Sequence, residues 1–156
     1  VYKRQVIELV KKSGYPGMKI LQFAFDSREE SDYLPHNYTH NCVVYTGTHD
    51  NDTVMGWYDT LKGADKKLCD DYLRLKNADG EPIPREQLPW EFVRAAMSSV
   101  ADLAIIPMQD YLGLGSEARI NIPSTLGINW KWRMGNGDFT KELAGRIRSM
   151  TKLYGR

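Results

Sequence analysis

Residues Cys42-Val43-Val44-Tyr45-Thr46-Gly47-Thr48-His49-Asp50-Asn51-Asp52-Thr53 pass from a short apolar segment into a polar run that is unbroken from Thr48. The apolar residues up to Tyr45 have the length and side chains of a buried strand. The polar run then reads as a site at that strand's end. In parallel α/β proteins the C-terminal ends of the strands carry the chemistry, and a His-Asp pair placed there is equipped to bind a hydroxylated molecule and steady a transition state. The plainer reading is an Asx-type turn that caps the next helix, with Asp52 or Thr53 at the N-cap. That reading leaves His49 and Asp50 together without a role.

Working outward, Val6, Ile7, Leu9 and Val10 alternate with Lys, Arg and Glu in a helical pattern over Val1 to Ser13, which Gly14 ends with Pro16 close behind. The chain thus opens inside a helix that has no N-cap, which suggests a piece of a longer chain. Met18 to Phe25 is mostly apolar and of strand length, and the polar segment with Arg28, Glu29, Glu30, Ser31 and Asp32 is its loop. After the His-Asp run the pattern predicts helices over Val54 to Leu61 and Asp65 to Lys76. A Gly- and Pro-containing loop follows from Asn77, then a helix opening at Pro89. Leu103 to Pro107 is a third apolar strand, and Phe139 to Tyr154 a last helix. Strands without polar alternation, interspersed with helices, predict an α/β fold with a parallel sheet of about three strands. Three strands cannot close a barrel, and a (β/α)₈ barrel takes about 250 residues. The economical account is the C-terminal portion of such a barrel, with residues 1–156 forming part of one larger domain.

Composition excludes several classes. The 156 residues carry a net charge of +1 with acidic residues among the basic ones, so no face is dedicated to nucleic acid. No apolar run approaches the roughly 20 residues that span a bilayer, and the Val1-Tyr2-Lys3-Arg4 start has no signal-peptide character. A cytoplasmic protein without membrane contact is expected. Cys42 and Cys69 give neither a metal spacing nor a disulfide framework and read as free thiols. His36 and His40 lie in a loop without the helix that would place both on one face for zinc. No cofactor is implied, no metal ligand is assigned, and no acidic cluster has the spacing of a calcium loop.

Beyond the third strand, Pro107 to Pro123 and Asn129 to Arg133 mix polar, glycine and aromatic residues. Gln109, Asn121 and Asn129 offer the donors and acceptors that sugar hydroxyls need. Gly113-x-Gly115 lacks the rest of a phosphate-binding loop.

Several segments, in one order, carry a resemblance. They are Gly14 to Phe25 (Gly-Tyr-Pro-Gly-Met-Lys-Ile-Leu-Gln-Phe-Ala-Phe), Leu34-Pro-His-Asn-Tyr38, Tyr45-Thr-Gly-Thr-His-Asp-Asn-Asp-Thr53, Pro107-Met-Gln-Asp110, Gly115-Ser-Glu-Ala-Arg-Ile-Asn-Ile-Pro123 and Asn129-Trp-Lys-Trp-Arg133. Together they resemble the 4-α-glucanotransferases called amylomaltase or disproportionating enzyme, over essentially the whole chain. The resemblance implies a (β/α)₈ barrel that cleaves an α-1,4-glucan, holds the glycosyl unit covalently and passes it to the 4-hydroxyl of an acceptor. Its partners would be α-1,4-glucans and maltooligosaccharides. Asp50 matches the family's transition-state-stabilising aspartate and His49 the histidine beside it. Phe23 matches an acceptor-side aromatic and Asn121 an asparagine that reaches substrate hydroxyls. For Phe23 the plainer reading is strand core, and for Asn121 a loop-stabilising hydrogen bond. Trp130, Trp132 and Arg133 are expected to pack the barrel end, and Glu117 with Arg119 to form an internal pair.

The family's nucleophile lies in Arg-x-Asp-His and its acid/base in Ala-Glu-Asp-Leu-Gly, and neither string occurs here. The chain alone would then hold the stabiliser and part of the sugar subsites without a complete catalytic set. Its missing N-terminal half would expose strand edges and apolar faces, which favours self-association. Two other readings stand beside this one: a stand-alone maltooligosaccharide-binding module without catalysis, and a purely structural interaction piece.

Overall fold

Three short strands, β1 (Gly17–Ile20), β2 (Cys42–Tyr45) and β3 (Leu103–Ile105), pair side by side in that order, both pairings parallel. They belong to a computed structural model that describes residues 2–156. Met18, Val43 and Leu103 stand in one register row, and Lys19, Val44 and Ala104 in the next. Successive side chains alternate faces, so one face carries Cys42, Val44 and Ala104. The other carries Met18, Val43 and Leu103.

The first face packs on helix. Among the described residues six helices follow: α1 (Tyr2–Ser13), α2 (Val54–Thr60), α3 (Gly63–Leu73), α4 (Leu88–Met97), α5 (Met108–Leu112) and α6 (Lys141–Leu153). Among them α4 is central. Its Phe92 joins a core built with Leu21, Phe25, Val54, Met55 and Leu75, its Ala96 meets Cys42 and Val44, and its Val93 and Met97 meet Ala104 and α6. Pro89 lies in its first turn, where a missing N–H is harmless. At its far end the Arg156 guanidinium donates to the carbonyls of Met97, Ser99 and Ala101, a cation where the helix dipole is negative.

Most elements lie within a few residues of where the apolar pattern puts them. The first helix is seen from Tyr2, Val1 lying outside the described residues. The strand expected to run to Phe25 ends at Ile20, and a 3-10 turn covers Leu21–Phe23. A strand would send Ala24 and Phe25 to opposite faces, whereas the turn lets Leu21, Ala24 and Phe25 all bury in one cluster. Helix α5 falls in the mixed polar segment, where the pattern predicts none.

Helix α3 stops at Leu73, three residues early, in a Schellman motif: Arg74 N–H reaches the Asp71 carbonyl and Leu75 N–H the Asp70 carbonyl at 2.8 Å. Leu75 is thereby drawn into the core. No described helix is long and apolar enough to cross a membrane.

Arg74 occupies the left-handed region, φ 57° and ψ 48°, where a side chain is penalised and glycine is not. Arg74→Gly should therefore raise stability by about 0.5–1 kcal/mol, read as an increased midpoint in denaturant unfolding. A decrease would show that the arginine side chain contributes more than its backbone costs.

Candidate functional site

The chain leaves β2 at the buried Thr46 and begins α2 at Val54, and the intervening loop is held from several sides. Thr48 donates through both its N–H (2.9 Å) and its hydroxyl (2.7 Å) to Asn51 Oδ1, while Asn51 N–H returns to the Thr48 carbonyl. This tight turn lifts His49 and Asp50 outward. Gln22, just past β1, donates its amide to the Asp52 carbonyl at 2.8 Å. Gly47 makes room for that approach, because a Cβ there would lie 2.6 Å from Gln22 Nε2.

Of the two capping candidates, Thr53 is the N-cap of α2, accepting from Gly56 N–H at 3.1 Å. The Asp52 carboxylate instead receives its neighbour Thr53 N–H and the Ser116 hydroxyl. His49 and Asp50 take no part in the cap.

They meet the loop that follows α5. Asn121 Nδ2 donates to Asp50 Oδ1 at 2.6 Å, and His49 Nε2 lies 3.3 Å from the same oxygen. The backbones are joined too, Asn121 N–H donating to the His49 carbonyl. Arg119 closes the junction, with Nη2 on the Asp50 carbonyl (2.7 Å) and Nε on the Asn121 carbonyl (2.9 Å). The Trp130 ring lies 5.2 Å from the His49 ring, tilted by 35°. The side chains of His49 and Asp50 stay 54% and 51% exposed. Among the described residues only one oxygen of Asp50 is engaged, so Oδ2 is open to a ligand hydroxyl, a charge-assisted hydrogen bond when formed.

His49, Asp50 and Asn121 are thus brought together. Phe23, in the 3-10 turn after β1, is half exposed rather than core, in an edge-to-face contact with Tyr33 at 5.7 Å. Gln109 and Asn129 are spent on structure. Gln109 is buried and donates to the Ala118 carbonyl, and Asn129 knits the Ile122 to Thr125 turn. The expected Glu117–Arg119 pair does not form, because Arg119 is drawn to the two carbonyls and Glu117 accepts from Gly115 N–H. Two contributors were not foreseen: Arg119 as a backbone clamp, and Asp110. Asp110 falls in Pro107-Met-Gln-Asp110, one of the segments that carry the resemblance, but has no role assigned to it there.

Asp110 lies behind the loop, almost wholly buried, accepting the Thr46 hydroxyl on Oδ2 and Val54 N–H on Oδ1. Burial pushes its carboxyl up to about 6, against the pull of those two hydrogen bonds and with a further rise from the charge of Asp52. Asp52 and Arg119 are the charged groups that share with it the small cavity under the loop.

Residues 1–138 match the family described as 4-alpha-glucanotransferase. The chain belongs to that family. It is 48% identical over 153 residues to the 4-alpha-glucanotransferase of Clostridium butyricum, covering 97% of this chain and 30% of that protein. It is 45% identical over 159 residues to the chloroplastic/amyloplastic 4-alpha-glucanotransferase of Arabidopsis thaliana, covering 100% of this chain and 26% of the relative. Among solved structures, the amylomaltase of Streptococcus agalactiae in complex with acarbose superposes with a TM-score of 0.87 at 35% identity, over 97% of this chain and 30% of that one. The chain therefore spans less than a third of the length of these 4-alpha-glucanotransferases.

A carboxyl whose folded pKa is raised takes up protons on folding. Its contribution to stability is full below its ordinary value of 3.8 and is lost as pH rises through about 6. Asp110→Asn should remove this slope, so that the stability difference between wild type and variant shifts by up to about 3 kcal/mol from pH 4 to pH 7, in the variant's favour. Denaturant unfolding of both proteins across that range measures it, and parallel curves would refute it. Comparing the two proteins cancels carboxylates with the opposite slope, such as Asp59 held down by Arg85.

Proposed function

We propose that the polypeptide carrying this chain transfers α-1,4-glucan segments to the 4-hydroxyl of an acceptor glucose or glucan, with retention, and that residues 1–156 form the C-terminal portion of its (β/α)₈ catalytic domain. The observation that carries this reading is the Asp50 carboxylate at the end of a parallel strand, one oxygen held by Asn121 and His49 and the other open, in a chain of this family.

Retaining transfer needs a carboxylate nucleophile and a carboxyl acid/base, which this reading places outside the chain, and passes through an oxocarbenium-like transition state. Asp50 adds what those two cannot. Its free oxygen accepts hydroxyls of the glucosyl unit being cleaved, and its negative charge is worth more as positive charge develops on the ring. With the proton on Nε2, His49 faces Asp50 and keeps Nδ1 as an acceptor for a sugar hydroxyl. Phe23, exposed in the turn after β1, offers a flat ring to an acceptor sugar. The acarbose bound by the Streptococcus agalactiae amylomaltase is consistent with an oligosaccharide-binding cleft here.

The barrel reading also accounts for the uncovered apolar surface. Met18, Leu103 and Ile105 on the sheet, and Val6, Ile7, Leu9 and Val10 on α1, are all exposed, and the rest of a barrel would cover them. The 156-residue chain by itself should therefore self-associate. A single monomeric boundary in sedimentation at high concentration would count against that.

Asp50 is tested in the full polypeptide by disproportionation of maltotriose into glucose and longer chains. Asp50→Asn keeps the size and loses the charge, and should lower kcat by about 10²–10³-fold with a much smaller change in KM. A variant within twofold of wild type would remove Asp50 from catalysis. Maltooligosaccharide binding without any transfer by the wild type would favour a binding module.

A further inference from the structure

The loop that presents His49 and Asp50 is anchored at both ends by one side chain. Thr46 donates its hydroxyl to Asp110 Oδ2 at 2.5 Å, and Val54 donates its N–H to Asp110 Oδ1 at 2.8 Å. Between these contacts run seven residues, Gly47 to Thr53, with Asp50 at the middle. Asp110 is 64 residues from Thr46 and 56 from Val54, so the anchor ties the end of β3 to the end of β2.

The bond to Val54 has a second consequence. Val54 opens α2, and the N–H groups of a helix's first turn have no partner within the helix. Thr53 satisfies Gly56 from within the loop, and Asp110 satisfies Val54 from outside it. The start of α2, and with it the exit of the loop, is therefore set by a residue on another element. Asp110 itself is 1% exposed and both its oxygens are occupied, which leaves it no means of touching a substrate.

We propose that Asp110 is a positioning residue, holding the 47–53 loop so that the open oxygen of Asp50 meets the sugar at the geometry of the transition state. This rests on the role proposed for Asp50. A group that acts mainly in the transition state is sensitive to displacement, an error of about 1 Å costing on the order of 10²-fold in rate. Substrate affinity, shared among many contacts, is less so. Loss of Asp110 should therefore appear in kcat and not in KM.

The test uses Asp110→Ala and Asp110→Asn in the full polypeptide, with two readouts: maltotriose disproportionation, and amide hydrogen exchange along the chain. Asparagine can still accept Val54 N–H through its carbonyl and donate its amide to the Thr46 hydroxyl, so it preserves the anchor without the charge. Alanine removes it. In Asp110→Ala, exchange across residues 47–53 should rise at least about tenfold while α4 stays protected. Its kcat should fall at least about tenfold with KM within about threefold. Asp110→Asn should stay near wild type in both.

Loop exchange and kcat unchanged in a folded Asp110→Ala would overturn the proposal. So would equal losses in both variants, or exchange rising in α4 as much as in the loop, since that is a general loss of stability. If the wild type transfers no glucosyl units, the glucanotransferase reading fails instead. The exchange comparison then still decides whether Asp110 holds the loop.

Discussion

A carboxylate buried where the chain leaves β2 and β3 is the constraint on which the site depends. An unpaired charge in such a place would be prohibitive, and a half-satisfied one nearly so, because low dielectric magnifies every missing partner. Asp110 is tolerated because a hydroxyl and a helix-opening N–H meet its two oxygens. The dependence is mutual, since Thr46 and Val54 would otherwise be donors buried without acceptors. The order of strands supplies the rest. With β2 in the middle of the sheet, the loop after it is reached from one side by Gln22 and from the other by Asp110, Ser116 and Arg119. An edge strand would present its loop to one neighbour only.

Arg119 is used differently from the arginines that take a carboxylate. Arg28 pairs with Asp26 and holds its carboxyl down to about 2, and Arg85 grips Asp59 through both of its oxygens. Arg119 instead grips the carbonyls of Asp50 and Asn121 and leaves the Asp50 carboxylate to Asn121 and His49. The backbone is fixed by a permanent cation while the charge on the side chain stays uncompensated by it. A guanidinium on that carboxylate would occupy the oxygen a substrate hydroxyl needs and cancel the field a cationic transition state would feel.

Local signals explain what was legible in the sequence. Cys42 to Tyr45 and Leu103 to Ile105 are apolar runs of strand length, Pro89 marks a helix start, and the polar run at Thr48 marks the site between them. The arrival of Asn121 at Asp50 could be anticipated only through the family resemblance, because 71 residues separate the two and no periodicity links them. The turn at Leu21–Phe23 was illegible for a physical reason. Its residues are as apolar as a strand's, and the decision to turn rests on the cluster around Phe92 that Leu21 and Phe25 join. Arg119 was misread because its partners are backbone carbonyls, which have no identity in a sequence, and Asp110 was passed over because its partners, the Thr46 hydroxyl and the Val54 N–H, lie 64 and 56 residues away with no periodicity to link them.

The two faces of the sheet are not equivalent, and the difference bears on what surrounds the site. Cys42, Val44 and Ala104 are small enough for α4 to approach closely, and two of the three are fully buried. On the other face Met18 and Leu103 flank Val43 in one row, and Ile105 follows Leu103 along the same edge strand, their large apolar side chains exposed. Parallel sheets are covered on both faces, since their strands carry no polar side to offer water. In the proposed barrel that second face is the interior, where side chains from successive strands stack in layers. The loop bearing Asp50 then stands at the rim of a closed wall, with both neighbouring strands fixed by their own interior packing. The precision of the site would come from that wall as much as from the contacts within the loop.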